Sequence, residues 1–230
     1  MTSTSQPTAV ITGASKGLGW AIAFALAARG WRLVVDARHV DGLAAGLPGA
    51  TVVAGDVTDP GHRAKLADAV RAHGRLDLLV NNASYLGPSP LPSLADHPMT
   101  ELRLVYETDV LAPVALIQSL LPMLRSSRGT VVNVSSDAAV EAYPFWGGYG
   151  SAKAALDHVT AVLATEEPEL AVYAVDPGDM RTDMHQSAFP GEDISDRPRP
   201  ESVVPAFLHL LDTRPPSGRY RAPELLAVPA

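Results

Sequence analysis

The chain has 230 residues, of which 47% are hydrophobic, and this is enough to bury the core of one domain. Its formal charge of -7, without any long run of lysine or arginine, argues against non-specific binding to nucleic acid. The sequence has no cysteine, which excludes disulfides and thiolate metal sites. Its seven histidines show no H-x-x-H or H-E-x-x-H spacing, so we expect no metal site.

The elements predicted along the chain alternate between strand and helix. Short apolar runs rich in β-branched residues predict strands at residues 8–12, 32–35, 51–54, 77–80, 130–134 and 171–175. Helical patterns are predicted at residues 20–29, 60–73, 99–125 and 149–166. Alternation of this kind predicts an α/β fold, a doubly wound parallel sheet flanked by helices, with its ligands at the carboxyl ends of the strands.

Two further patterns concern the ends of this fold. Residues 189–205 are rich in proline and charge and follow the last predicted strand, so we expect a substrate loop over about residues 183–205. Residues 1–7 are polar and do not resemble a secretory signal, and we find no run of about 18 apolar residues that would span a bilayer. We therefore expect a cytoplasmic protein without membrane contact.

The turn GASKGLG, residues 13–19, joins the first predicted strand directly to a helix. Glycines let the backbone approach a pyrophosphate closely, and the free N–H groups of the helix N-terminus attract negative charge. The strand before the turn and the helix after it favour a nucleotide site over a plain tight connection.

Tyr149 and Lys153 lie one helical turn apart, which places a phenol and an ammonium on the same helix face. A tyrosine, with an ordinary pKa of about 10, works as an acid or base near neutral pH only if a neighbouring cation lowers its pKa. The pair therefore indicates an acid/base catalyst. An isolated pair of this spacing would otherwise be a surface tyrosine beside a solvated lysine.

Five motifs, in their expected order, resemble those of the short-chain dehydrogenase/reductase family between about residues 8 and 182. They are TGASKGLG at 12–19, NNAS at 81–84 in place of the family's NNAG, NVSS at 133–136, Tyr149 with Lys153, and Pro177-Gly178 with Thr182. The resemblance implies a Rossmann-type fold in a single NAD(P)-binding domain over residues 1–230. Its cofactor-binding positions fall on Gly13, Ser15, Lys16, Gly17, Leu18, Gly19, Arg38, Asp56, Val57, Asn82, Ala83, Tyr149, Lys153, Pro177, Gly178 and Thr182.

The resemblance also implies a catalytic set. Ser136 would hold the substrate carbonyl, Tyr149 would give it a proton, and Lys153 would lower the pKa of Tyr149 and hold the ribose. The family's spacing selects Ser136 over Ser135, and only one of two adjacent strand residues can face the pocket. Asp109 stands where the family has an asparagine; it is either a further catalytic-site residue or purely structural, and its carboxylate would partly offset the pull of Lys153 on Tyr149.

Cofactor preference depends on the end of the second strand. Counted as in the family, the position of the NAD-selecting aspartate falls on Ala37, and Arg38 follows it, which resembles NADP-preferring members. Arginine pairs with a phosphate bidentately, and Lys16 would add a second cation. Asp36 is the counter-argument, because a shift of one residue would place a carboxylate at the ribose, so NAD(H) stays possible beside NADP(H).

The sequence therefore predicts an NADP(H)-dependent oxidoreductase that interconverts a small-molecule carbonyl and an alcohol, with a catalytically weak NADP(H) sensor or scaffold as the alternative. Tyr143, Pro144, Phe145 and Trp146 either line the substrate pocket and favour an aromatic or apolar carbonyl, or pack the loop. We also expect a homodimer or homotetramer, because two long helices carry apolar or small residues that could pair across a two-fold axis. These residues are Leu102, Val105, Leu116, Leu120 and Leu124 on one helix, and Ala154, Ala155, Ala161, Val162 and Ala164 on the other.

Overall fold

The computed structural model describes residues 6–227, so the ends of the expected 1–230 domain, including most of the polar residues 1–7, lie outside the described residues. Seven parallel strands form one sheet in the order β3-β2-β1-β4-β5-β6-β7. The strands are β1 (Thr8–Ile11), β2 (Arg32–Ala37), β3 (Thr51–Ala54), β4 (Leu78–Asn81), β5 (Thr130–Val134), β6 (Ala171–Asp176) and β7 (Gly218–Arg221). The expected α/β, doubly wound fold is confirmed.

The first eight helices lie between successive strands, and the ninth follows β7. They are α1 (Gly17–Ala28), α2 (Leu43–Gly46), α3 (Pro60–His73), α4 (Met99–Tyr106), α5 (Ala112–Ser127), α6 (Gly147–Glu166), α7 (Asp183–Ala188), α8 (Val204–Thr213) and α9 (Ala222–Ala227). A π-helical segment, Glu107–Leu111, joins α4 to α5, and short 3-10 turns lie at Leu94–Asp96, Asp137–Ala139 and Pro200–Ser202.

Each central strand supplies side chains to two apolar cores, one on each face of the sheet. In β1, Ile11 packs into the cluster that contains residues of α1 and α8, while Val10 packs into the cluster that contains residues of α3 and α5. This alternation follows from the two-residue period of a strand, and continuous apolar runs are typical of strands covered on both faces. The strand order reverses between β1 and β4, so a crevice for ligands opens at the carboxyl ends of these two strands.

The long helical region from Met99 to Ser127 is apolar and long enough to cross a membrane, contrary to our reading that the sequence has no such run. Half of its most apolar window is buried inside the fold, and Leu116, Leu120 and Leu124 pack into the core cluster of α3 and α5. This packing is typical of a helix in the core of a folded domain. The length and apolar composition of the helix are by themselves weak evidence that it spans a membrane.

Several element boundaries differ from those predicted. The first helix begins at Gly17 rather than at residue 20, and helix α6 begins at Gly147 rather than at residue 149. Residues 183–205, expected as a loop, include helix α7 and the first residues of α8. No helix or strand was predicted beyond residue 205, but most of α8, together with β7 and α9, lies there, and β7 forms one edge of the sheet.

Candidate active site

The glycine turn after β1 has a backbone that other residues would not easily adopt. Gly13 and Gly17 have positive φ angles of 66° and 59°. At Gly19 an added Cβ would lie 2.5 Å from both the Gly13 carbonyl oxygen and the Asn82 side-chain nitrogen. A turn this closely packed, at the start of α1, fits the pyrophosphate of a dinucleotide.

Asn82, which follows β4, ties this turn to the neighbouring strand. Its side-chain amide donates to the carbonyl oxygens of Thr12, at 2.9 Å, and Gly13, at 3.2 Å. In return, the Thr12 hydroxyl oxygen accepts from the backbone N–H groups of Asn82 and Ala83, both at 3.0 Å. The NNAS motif therefore supports the glycine turn.

One cavity of about 630 Å³ runs from the glycine turn along the carboxyl ends of the strands. It brings together most of the residues that the sequence singles out. Those that line it are Gly13, Ser15, Lys16, Gly17, Leu18, Arg38, Asp56, Val57, Asn82, Ala83, Ser136, Tyr149, Lys153, Pro177, Gly178 and Thr182. Gly19 and Asp109 do not line the cavity: Gly19 packs behind the turn, and Asp109 is completely buried behind Lys153.

Tyr149 and Lys153 are both buried in the cavity wall, with 8% and 2% of their surface exposed. The Lys153 ammonium lies 5.3 Å from the centre of the Tyr149 ring and donates to the Val134 carbonyl oxygen at 2.9 Å. Lys153 Nζ also lies 3.0 Å from Asp109 Oδ1. The alternative of a surface tyrosine beside a solvated lysine is therefore wrong.

Asp109 lies in the π-helical segment, which turns its carboxylate toward α6. Besides Lys153, the carboxylate accepts from the Ser84 hydroxyl and, at 3.1 Å, from the Tyr85 backbone N–H. These donors compensate its complete burial.

The pKa values of this group follow from burial and mutual attraction. Burial raises the pKa of Tyr149 above its ordinary value, and Asp109 adds to the rise. Lys153 acts to lower this pKa, as expected, but does not outweigh burial. Burial acts to lower the pKa of Lys153, but Tyr149 and Asp109 outweigh it and raise that pKa. The chain alone thus keeps Tyr149 protonated and Lys153 charged at neutral pH.

Ser136 and Ser135 have different surroundings. Ser135 is 2% exposed and its hydroxyl donates to the Ser136 carbonyl oxygen at 3.5 Å, whereas Ser136 is only half-buried. The Ser136 hydroxyl donates to Asp137 Oδ1 at 3.0 Å and accepts from the Ala138 backbone N–H at 3.2 Å. Both residues border the cavity, and Ser136 is the more accessible of the two.

At the end of β2, the carboxylate of Asp36 is occupied within the protein. It is 1% exposed and accepts from the Gly13 backbone N–H at 2.7 Å, and its other oxygen lies 2.9 Å from His62 Nε2. Arg38 is exposed, borders the cavity, and makes no ion pair within residues 6–227. Burial acts to raise the pKa of Asp56, but hydrogen bonds from Thr58 and then the charge of Arg38 lower it. Lys16 instead pairs with Asp183, at 2.6 Å, across the cleft.

The part of the cavity beside Tyr149 has an apolar wall. Leu86, Trp146, Met184 and Ala188 pack around Tyr149. The Trp146 ring lies 5.9 Å from that of Tyr149 and 6.0 Å from that of Phe189, measured between centroids. Of the four residues 143–146, only Trp146 borders the cavity, so of the two alternatives the pocket-lining one is wrong for the other three.

Three parts of this site were not predicted from the sequence. Ser84 was recognised only as a member of the NNAS motif, although its presence where the family has glycine adds a hydroxyl. The Asp36–His62 contact joins residues 26 apart and leaves no pattern in the sequence. Asp137, which accepts from Ser136, directly follows it and could have been noticed as a neighbouring carboxylate.

The comparisons with known proteins agree with this geometry. A family model described as short chain dehydrogenase matches residues 7–193. An oxidoreductase of Schizosaccharomyces pombe is 34% identical over 191 residues, which cover 81% of this chain and 76% of the relative. A benzil reductase, (S)-benzoin forming, of Saccharomyces cerevisiae is 35% identical over 160 residues, which cover 66% of this chain and 59% of the relative.

Solved structures show the same fold. A short chain dehydrogenase from Pseudomonas syringae superposes with a TM-score of 0.88 at 30% identity, covering 94% of each chain. One from Shigella flexneri, complexed with NADP, has a TM-score of 0.87 at 27% identity, covering 94% of this chain and 97% of the other. This chain belongs to the short-chain dehydrogenase family. It is an oxidoreductase of that family, whose cofactor is a nicotinamide dinucleotide.

Proposed function

We propose that this chain is an NADP(H)-dependent reductase of small-molecule carbonyl compounds, able to oxidise the corresponding alcohols. The observation that carries the proposal is Tyr149, buried beside Lys153 in the wall of the cavity that begins at the glycine turn. In this proposal Tyr149 is the proton donor, at the far end of a nucleotide cleft. A nicotinamide cofactor bound there supplies or accepts the hydride.

The chain's own residues position and polarise the substrate. Ser136 holds the carbonyl oxygen by a hydrogen bond, and Tyr149 delivers the proton to that oxygen. Lys153, held by Val134 and Asp109, fixes its charge beside the tyrosine. Oriented donors around the developing negative charge are an effective source of rate acceleration.

NADP(H) is preferred in this proposal because of the charges at the end of β2. Asp36 is the carboxylate that would repel a 2′-phosphate, but both its oxygens are occupied and it is buried. Arg38 is exposed at the cavity edge, where a guanidinium can pair with a phosphate. Solved relatives complexed with NADP or NADPH support this preference.

The substrate in this proposal is an apolar or aromatic ketone. The apolar wall of Leu86, Trp146, Met184 and Ala188 offers the Trp146 ring for stacking beside Tyr149. The similarity to a benzil reductase, whose substrate name denotes an aromatic diketone, supports the same class.

A second candidate is an NADP(H)-binding relative with little turnover, which senses the cofactor or supports a partner. The Asp109–Lys153 contact favours it, because the carboxylate opposes the pull of Lys153 on Tyr149. We favour the enzyme, since a sensor does not need a buried proton donor.

We also propose a homodimer or homotetramer in the cytoplasm. The leucine stripe expected at its interface serves the core instead: Val105, Leu116, Leu120 and Leu124 are at most 1% exposed. Other apolar side chains on the same helices stay accessible, namely Met99, Leu104, Leu111 and Val162, which are 41–59% exposed. We assign the proposed interface to these side chains.

The proposed function is tested with a panel of ketones, diketones and aliphatic aldehydes. Each is added with NADPH and then with NADH, and the nicotinamide absorbance is followed. We expect the fastest turnover with aromatic ketones or diketones and NADPH. Tight NADPH binding without turnover of any compound would favour the sensor instead.

A further inference from the structure

Four polar side chains converge where α6 crosses the π-helical segment: Ser84, Asp109, Tyr149 and Lys153. Asp109 and Lys153 are 0% and 2% exposed, and their charged atoms lie 3.0 Å apart. Solvent therefore screens their interaction little.

Ser84 connects this ion pair to the tyrosine. Its hydroxyl donates to Asp109 Oδ1, and the same side chain has a hydrogen-bonding interaction with Tyr149 that acts to lower the pKa of the phenol. A hydroxyl has one hydrogen, so it cannot donate fully to the carboxylate and to a phenolate at once. Asp109 and the phenolate thus compete for the Ser84 hydrogen.

The same competition applies to Lys153. Its ammonium stabilises the Tyr149 phenolate, but Lys153 Nζ also lies 3.0 Å from the carboxylate oxygen Oδ1 of Asp109. A negative charge at this position cancels part of the potential that the ammonium exerts on the phenol.

We propose that Asp109 is a positioning residue that competes with the phenolate for Lys153 and for the Ser84 hydrogen, and so keeps Tyr149 in its proton-donating form at neutral pH. The site is then set to reduce a carbonyl, and it takes the proton of an alcohol more readily at alkaline pH. The expected reaction direction rests on the proposed function. The effect of Asp109 on the ionisation of Tyr149 does not, because that ionisation can be measured without turnover.

Other groups around the pair are accounted for. Burial is the largest influence raising the pKa of Tyr149, and Asp137 adds a smaller rise after Asp109. Asp157 helps to raise the pKa of Lys153, after Tyr149 and Asp109. Of these carboxylates, Asp109 is the one with a direct contact to the ammonium.

The first test is a titration of tyrosine ionisation by ultraviolet difference absorbance, in the absence of substrate. The signal that disappears in Tyr149→Phe belongs to Tyr149. We expect D109N to move the midpoint of that signal down by about one pH unit, the scale of one charge acting at short range inside a protein. An unchanged or higher midpoint in folded D109N would overturn the proposal.

Ser84→Ala is the matched variant, with the opposite expected sign. It removes the hydroxyl that donates to Asp109 and so leaves the charge of that carboxylate less compensated, and the Tyr149 midpoint rises, by less than D109N lowers it. Simple loosening of the site would move both midpoints in the same direction. If D109N does not fold, the direction of the Ser84→Ala shift decides: a rise supports the proposal, and a fall or no change contradicts it.

The second test is the pH profile of alcohol oxidation with NADP. Below the Tyr149 midpoint the rate follows the phenolate fraction, so D109N should oxidise alcohol about tenfold faster than wild type at neutral pH. A D109N profile that coincides with wild type contradicts the role of Asp109. Absence of oxidation and reduction in wild type contradicts the proposed function alone, because the titration still decides the role of Asp109.

Discussion

Replacing Arg38 by alanine tests how this chain distinguishes NADPH from NADH. In the structure Arg38 is exposed at the cavity edge and has no ion-pair partner among residues 6–227, so the substitution removes a cation without leaving a buried charge behind. A charge-assisted hydrogen bond contributes about 1.5 to 3 kcal/mol. At about 1.4 kcal/mol per factor of ten, the Kd for NADPH should rise roughly tenfold to a hundredfold.

The assay is a titration of each nucleotide, followed by fluorescence or calorimetry. NADH lacks the 2′-phosphate, so its Kd should change by less than about twofold, and added salt should weaken NADPH binding to wild type more than to Arg38→Ala. Arg71→Ala is the matched control, since it removes an exposed arginine from α3 that does not border the cavity. Equal losses for NADPH and NADH would refute the assignment of Arg38 to the 2′-phosphate.

Two further substitutions test the turn and the assembly. Gly19→Ala places a Cβ 2.5 Å from the Gly13 carbonyl oxygen, so we expect NADPH binding to be lost and the free energy of unfolding to fall by about 1 to 3 kcal/mol. Gly61→Ala is the control, because its Cβ would meet only ordinary contacts. Equal melting curves for the two variants would contradict the expected strain at Gly19. Leu111→Glu, at a 52% exposed position, should convert the oligomer to a 24.2 kDa species in sedimentation, while Phe24→Glu on α1 should not. A wild type that sediments only at 24.2 kDa would contradict the proposed assembly.

The sequence was sufficient to predict six of the seven strands and the order of the site motifs. The five of them that lie between the edge strands β3 and β7 carry apolar runs covered on both faces, and such runs are recognisable from the sequence, as in Val131 and Val132. The glycine turn was equally accessible, since its spacing follows from a backbone that only glycine adopts easily.

Other features depend on contacts between distant residues and were therefore missed. β7 reads GRYR, without the apolar run of a buried strand, and lies at one edge of the sheet. The aspartate at position 36 was an open question in the sequence; its contacts with Gly13 and His62 are formed only when β2 and α3 come together. The Lys16–Asp183 contact spans 167 residues and likewise needs the folded chain.

The central claim, that Tyr149 is the proton donor of a carbonyl reductase, is tested most directly by Tyr149→Phe. The measurement is the rate of NADPH oxidation with the best ketone of the panel, together with NADPH affinity. The substitution keeps the ring that packs against Trp146 and removes only the hydroxyl. We predict that turnover is abolished while NADPH binds nearly as in wild type, because loss of an acid catalyst is expected to slow the reaction by about 10²-fold or more. Residual activity above about a tenth of wild type would contradict the claim.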